Sequence, residues 1–295
     1  MARRKKNLRG QDSEIVQRAR QMRPPVLTGL IVLCLEAVGS GEVWNVPSGD
    51  WSTPGNWNPA TVPDGTVASI NNAGTAIITT SVPSPSSVEV GNGAAAVGRV
   101  DHRAGDLTAS GAGVYLGIAG GNGTYNLADT AVVGTGLTAF GMGSGNLNTG
   151  TEFGIGGNSL TPGTGTFAVN TSGTITSGIV GVGVNAGATG TVLMDAGTWA
   201  MAQLGIGVGL GSATFNIAGG SVTASSDTAV GYLGGTGILQ IGNSAVVTPT
   251  VSGIGQGTAS MSMADLLFAG DGGLSVGTVR INTTSSFTST AGNIA

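Results

Sequence analysis

Beyond Lys6 the chain has no lysine, and its 295 residues hold one histidine, His102, and one cysteine, Cys34. A lone cysteine excludes an intrachain disulfide. The missing lysine excludes a Walker phosphate loop, and no Gly-x-Gly-x-x-Gly occurs despite 55 glycines. Eight of the eleven Lys and Arg lie within residues 1–23. From Gly41 onward only Arg99, Arg103 and Arg280 stand against twelve acids, a formal charge of −9. Phosphate binding draws on clustered Lys and Arg, so nucleic acid is not an expected partner. Aromatic residues make up 4 % and charged residues 9 %, which departs from ordinary globular composition.

What the chain has instead is glycine, far above the usual share of about 7 %. With ten prolines and no Gly-X-Y period it is not collagen. Hydrophobic residues reach 40 % and mean hydropathy is positive, which separates it from a disordered linker. Small and β-branched residues punctuated by glycine predict many short strands joined by tight turns.

The N-terminus reads as a targeting segment over residues 1–40. Arg3, Arg4, Lys5 and Lys6 precede the apolar run 26–35 and the small residues 37–41, the order of a secretory signal. The run is shorter than the roughly 20 apolar residues of a membrane-spanning helix, so no transmembrane helix is expected in the mature chain. Asp12 and Glu14 fit a signal poorly, whereas a start at Met22 would remove both. Ala37-Val38-Gly39 has the form of a cleavage site. Leu33 stands where a lipoprotein signal would place a small residue before Cys34, which argues against lipidation.

The remainder repeats itself. Leu204-Gly-Ile-Gly-Val-Gly is followed by Ala213-Thr-Phe-Asn-Ile-Ala-Gly and Gly220-Ser-Val-Thr-Ala. The same order occurs from Val180 (Gly190-Thr-Val-Leu-Met, Gly197-Thr-Trp-Ala-Met) and from Val230 (Gly237-Ile-Leu-Gln-Ile-Gly, Ala245-Val-Val-Thr). Anchor glycines at 91, 117, 141, 154, 181, 205 and 231 give intervals of 26, 24, 13, 27, 24 and 26, with the 13 taken as a truncated copy. Each copy holds three short segments of period-2 alternation, which suits strands with one buried face. A unit this small cannot bury that face alone and must stack on its neighbours. The expected fold is all-β: a three-sided parallel β-helix, or solenoid, with an N-terminal capping segment. At ~4.8 Å per stacked strand, seven copies make a rod on the order of 35 Å long. A β-sandwich or barrel is the alternative, although neither needs a pattern recurring every 24–27 residues. The expected division is a targeting segment over 1–40, a cap and first strands over 41–87, about seven repeat units over 88–250, and terminal coils over 251–295.

The segment Trp44-Asn-Val-Pro-Ser-Gly-Asp-Trp51-Ser-Thr-Pro-Gly-Asn-Trp57 leads into Thr61-Val-Pro-Asp-Gly and Ala68-Ser-Ile-Asn-Asn. Together with the repeats of 204–224 and 230–247, it resembles bacterial exported proteins carrying the repeat shared by autotransporter (type V secretion) passengers and PEP-CTERM proteins. The resemblance covers roughly residues 43–247. It implies a secreted or surface-exposed β-helix in a Gram-negative-type envelope, generally without assigned chemistry. After Arg280 the chain departs from those proteins, with neither a Pro-Glu-Pro sorting segment nor a C-terminal barrel. The expectation is a fragment, or an anchor supplied elsewhere.

Candidate chemistry is sparse. Arg99, Asp101, His102, Arg103 and Asp106 form the one dense polar cluster. On a strand, Arg99, Asp101 and Arg103 share one face, with Val100 and His102 on the other. Such a set could grip an anionic sugar, or it could be a solvated strand edge whose charges discourage edge pairing. Trp44, Trp51 and Trp57 could stack on sugar rings, or cover the open end of the core. Glycosidase chemistry needs two carboxyl groups ~5–9 Å apart. Asp195, Asp227, Asp265 and Asp271 stand singly in sequence, and only stacked repeats could pair them. The Gly120-Gly-Asn-Gly-Thr run lacks the aspartate of a calcium roll, with Tyr125 in its place, and no metal or cofactor is expected. A row of exposed aromatics would point to binding, paired carboxylates to cleavage, and a smooth Thr/Ser/Asn face to a passive role. The expected function is a non-catalytic, exported structural or adhesin-like solenoid. Its expected partners are envelope or extracellular polysaccharide or other surface proteins. The alternative is a polysaccharide-binding or polysaccharide-degrading β-helix.

Overall fold

A computed structural model describes residues 41–131, 140–158, 160–242, 259–268, 275–281 and 285–289. All of them belong to one compact unit, Ala37–Ala295. The targeting segment, with Cys34, lies outside the described residues, as does Asp271. Among the described residues the structure is almost wholly β, with one 3-10 turn at Pro54–Asn56. The strands follow from the sequence alternation. In Ser212–Ile217, Phe215 and Ile217 turn inward and are fully buried while Thr214 faces out.

The strands pair in parallel into three ladders. The first runs through Asn72–Ile78, Val97–His102, Asn122–Ala128, 164–170, 189–194, Ser212–Ile217, Thr236–Ile241 and Val276–Ile281. The second runs through Ala104–Thr108, Ser144–Asn148, 174–176, 198–201, 221–224, 260–263 and Ser286–Ser289. The third runs through Val67–Ile70, Ser87–Asn92, Gly113–Ile118, Glu152–Ile155, 179–182, 204–208, 227–230 and 265–268. Glu42–Trp44 begins the third ladder and also makes the one antiparallel pairing between described strands, with Trp57–Asn58. Parallel pairing therefore runs past both ends of 88–250.

Positions 98, 123, 165, 190, 213, 237 and 277 are successive partners in the first ladder, so the steps are 25, 42, 25, 23, 24 and 40 residues. The 42-residue step corrects the truncated copy expected around Gly141. After His102 the chain enters the second ladder at Ala104, whereas after Leu127, the partner of His102, it enters only at Ser144. The extra residues form an insertion in which Asp129 and Gly141 pair antiparallel. The second long step includes residues 243–258, which lie outside the described residues.

The repeat anchors also move. Val90, Leu116, Ile155, Val182, Ile206 and Val230 are successive partners, and each is followed by a glycine with positive φ. The corner glycines are thus 91, 117, 156, 183, 207 and 231, so 154, 181 and 205 lie two residues early. At Gly117, φ is +66° and an added Cβ would fall 1.8 Å from the Thr164 carbonyl oxygen. Only glycine fits such a corner.

All three ladders aim apolar side chains into one core. Tyr125, Phe167 and Phe215 come from the first, Trp199 from the second and Phe153 from the third. Their rings touch in sequence with centroids 4.8–5.8 Å apart. Burial of such side chains supplies ~1.5–3 kcal/mol each and is the main force closing the ladders on one another.

Candidate functional site

The tryptophans read either as a sugar platform or as a cover for the open end of the core are core residues. Trp44, Trp51 and Trp57 are 0–2 % exposed. Trp57 meets Trp44 and Trp51 edge-on at 4.9 and 4.8 Å, and its Nε1–H donates to the Trp51 carbonyl at 2.8 Å. They fill the core where the first strands begin and present no ring face to a sugar.

The charged cluster divides across its strand. On the outer side, Arg99 Nε and Nη2 donate to the two Asp101 carboxylate oxygens at 2.7 and 3.1 Å. Asn126 Nδ2 adds a third bond to Asp101 at 2.9 Å. Arg103 Nε donates to Thr130 Oγ1 at 3.2 Å, tying the insertion to the strand. His102 points the other way and is fully buried. Its Nε2 lies 3.0 Å from the Gly105 carbonyl, which can only accept, so the proton sits on Nε2 and Nδ1 accepts from Tyr125 Oη at 2.9 Å. Burial pushes the His102 pKa down to about 4 and pushes the Tyr125 hydroxyl up. His102 is a neutral core residue with both nitrogens engaged, and the cluster does not converge on one site.

The carboxylates are mostly dispersed. Glu152 is raised by burial and accepts from Tyr115 Oη at 3.2 Å. Asp106 is held below the usual range by bonds from Asn146 and Ser81. The backbone positions of Asp227 and Asp265 are partners on neighbouring strands. Among the described residues no three His, Cys, Asp or Glu are grouped to hold a metal, and no helix is long and apolar enough to cross a membrane.

The outer surfaces of the ladders differ. On the third, successive partners Gly154, Gly181, Gly205 and Ala229 leave little side chain, and the chain folds back so that a Cβ at Gly154 would lie 2.4 Å from Gly157 O. On the first, the column Thr124, Thr166, Thr191 and Thr214 is half-exposed, but its neighbour is covered where Phe140 packs on Ala168 and Leu193.

The second ladder leaves both outward columns open. Its seven strands present Asp106/Thr108, Asn146/Asn148, Thr174/Thr176, Thr198/Ala200, Ser221/Thr223, Ser260/Ser262 and Ser286/Thr288. All fourteen are exposed or half-exposed. Ten are Ser or Thr, two Asn, one Asp and one Ala, so the face carries neither an aromatic nor a cation. Between the columns at Asp106, Thr108, Asn146, Asn148, Thr174 and Thr176 lies a shallow trough of about 300 Å³. Of these residues only Asp106 belongs to the cluster singled out from sequence. The signal for the rest was a polar–apolar–polar triplet once per repeat, as in Thr174-Ile-Thr and Ser221-Val-Thr. Comparison with family models, with curated proteins and with solved structures finds no match to the chain.

Proposed function

We propose that the chain is an exported, non-catalytic three-sided parallel β-solenoid whose work is to present a long, chemically plain polar face. The observation that supports this reading is the second ladder. Seven consecutive strands there turn Ser, Thr, Asn or Asp outward, with one Ala, while Leu107, Leu147, Ile175, Trp199, Val222 and Met261 turn inward. The secreted or cell-surface site in a Gram-negative-type envelope rests on the resemblance of its repeat motifs, read from sequence, to autotransporter passengers and PEP-CTERM proteins. Repeat stacking carries such a face from strand to strand through contacts between neighbouring copies alone.

The second reading, a polysaccharide-cleaving β-helix, draws on the register of Asp227 with Asp265. One experiment separates the two. Full-length chain is incubated with envelope and plant polysaccharides, following retention on the polymer and release of reducing ends. The solenoid reading expects no release. Release that disappears in Asp227→Asn would replace it with the enzymatic one. Cell fractionation with N-terminal sequencing tests export, with a processed chain beginning near Ser40 as the expected product.

A further inference from the structure

The open face of the second ladder is a two-dimensional grid, and its dimensions follow from the sheet. Equivalent residues on neighbouring parallel strands lie ~4.8 Å apart, and side chains two residues apart on one strand lie ~6.6 Å apart. Water hydrogen-bonded tetrahedrally at ~2.75 Å places second-neighbour oxygens ~4.5 Å apart and repeats at ~7.3 Å along the hexagonal axis of ice. We propose that this face, from Asp106 to Thr288, binds ice. The inference goes beyond the display role above and rests on the same parallel stacking.

Three observations carry it. The first is commensurability. Across the six intervals between seven strands the mismatch accumulates to ~1.8 Å, less than half of one ~4.5 Å lattice step, so the ten hydroxyls of the face stay in phase with the lattice. The second is the residue choice. A Ser or Thr hydroxyl donates one hydrogen bond and accepts others, as a lattice water does. Lys or Arg would stand proud of the plane inside its own hydration shell, and neither occurs at the fourteen positions. Among the described residues no side-chain hydrogen bond engages Thr176, Thr198, Ser221, Thr223, Ser260 or Ser262, which leaves their hydroxyls for an outside partner. The third is the trough of about 300 Å³ between the columns, with room on the order of ten waters at ~30 Å³ each. Water held there, bordered by the Thr108, Thr174 and Thr176 hydroxyls and by the polar groups of Asp106, Asn146 and Asn148, forms the first layer of the lattice. A polysaccharide is the weaker fit, because sugar rings stack on exposed aromatics and this face has none.

The test is single-crystal ice growth in solutions of the full chain, reading crystal habit and the gap between melting and freezing points. Faceted crystals and a measurable gap are expected. Thr198→Lys, at the exposed middle of the face, should abolish both. Thr191→Lys, on the outward column of the first ladder, should leave both intact, and circular dichroism checks that each variant keeps its β signal. The proposal is overturned if the folded chain leaves ice crystals as unfaceted discs, or if the two variants lose activity equally. Retention on crystalline cellulose without any effect on ice overturns it in favour of a polysaccharide. X-ray scattering on the same samples reports the rod independently, so failure of the stacking is distinguishable from failure of the ice site.

Discussion

His102 makes the stability of the fold sensitive to acid. The ring lies fully buried between Tyr125 Oη and the Gly105 carbonyl, and Gly145 on the second ladder leaves room for it, since a Cβ there would sit 2.8 Å from the imidazole. The folded pKa of about 4 lies below the ordinary 6.5. As pH falls, the unfolded chain therefore takes up this proton first, and stability drains between about 6.5 and about 4. At 1.36 kcal/mol per pH unit the loss from this group is about 3 kcal/mol, a large share of a typical domain's stability. Glu152, raised by burial, works in the opposite direction and reduces the observed slope, so the comparison is made in a Glu152→Gln background. Asp106 is lowered from its ordinary 3.8, so its contribution is lost in more acid solution, below this window. His102→Leu removes the titration but strands the Tyr125 hydroxyl, which costs ~1–3 kcal/mol at neutral pH. Adding Tyr125→Phe gives these two successive copies residues found at the matching positions of their neighbours, because Leu127 pairs with His102 and Phe167 pairs with Tyr125. The double variant should recover neutral-pH stability and show a flat profile from pH 6.5 to 4 by urea denaturation. A slope of the same size in the double variant would refute the assignment, as would an ordinary imidazole titration by NMR.

Gly117 and Gly65 share a φ of +66° and +67°, but only Gly117 has backbone 1.8 Å from its added Cβ, whereas nothing lies within 4 Å of the other. Gly65→Ala should cost ~1 kcal/mol for its conformation alone, and Gly117→Ala more than ~4 kcal/mol or outright unfolding; equal costs by chemical denaturation would show that the corner is not tight. All four tryptophans are 0–2 % exposed, so the folded chain should emit at short wavelength and resist acrylamide, and addition of polysaccharide should leave the spectrum unchanged. A solvent-exposed emission component would return Trp44, Trp51 or Trp57 to the surface.

The period was readable in the sequence because stacked repeats must place like residues at like positions, and the step of 23–25 residues at 165–237 agrees with it. The phase was harder. Runs such as Val180-Gly-Val-Gly-Val hold two glycines two residues apart, with the same parity, so alternation cannot say which one turns the corner. The structure chooses the second: Gly183 has φ +58°, while a Cβ at Gly181 would merely meet Val184 at 2.9 Å. The copy at Thr228-Ala-Val-Gly231 already held the answer, since alanine replaces the first glycine and the corner glycine remains. The insertion misled for a related reason. Gly141-Met-Gly143 imitates the start of a repeat, yet the strand that should follow pairs only from Ser144.

The site was harder to read than the fold because chemical rarity drew attention to residues whose polar groups the fold satisfies locally. In a chain so poor in charge, Arg99, Asp101 and His102 stand out, but each is absorbed locally, by the Arg99–Asp101–Asn126 bonds outside the strand and the His102–Tyr125 bond inside it. The residues left facing solvent in rows are the commonest polar ones in the repeats. One hydroxyl on a surface contributes almost nothing to recognition. Parallel stacking repeats it every ~4.8 Å in a fixed plane, and contacts joined rigidly add without each paying the entropy of association again. In the proposed ice site, Thr174, Thr198 and Ser221 would act through that recurrence. The informative signal is therefore the alignment of triplets between copies.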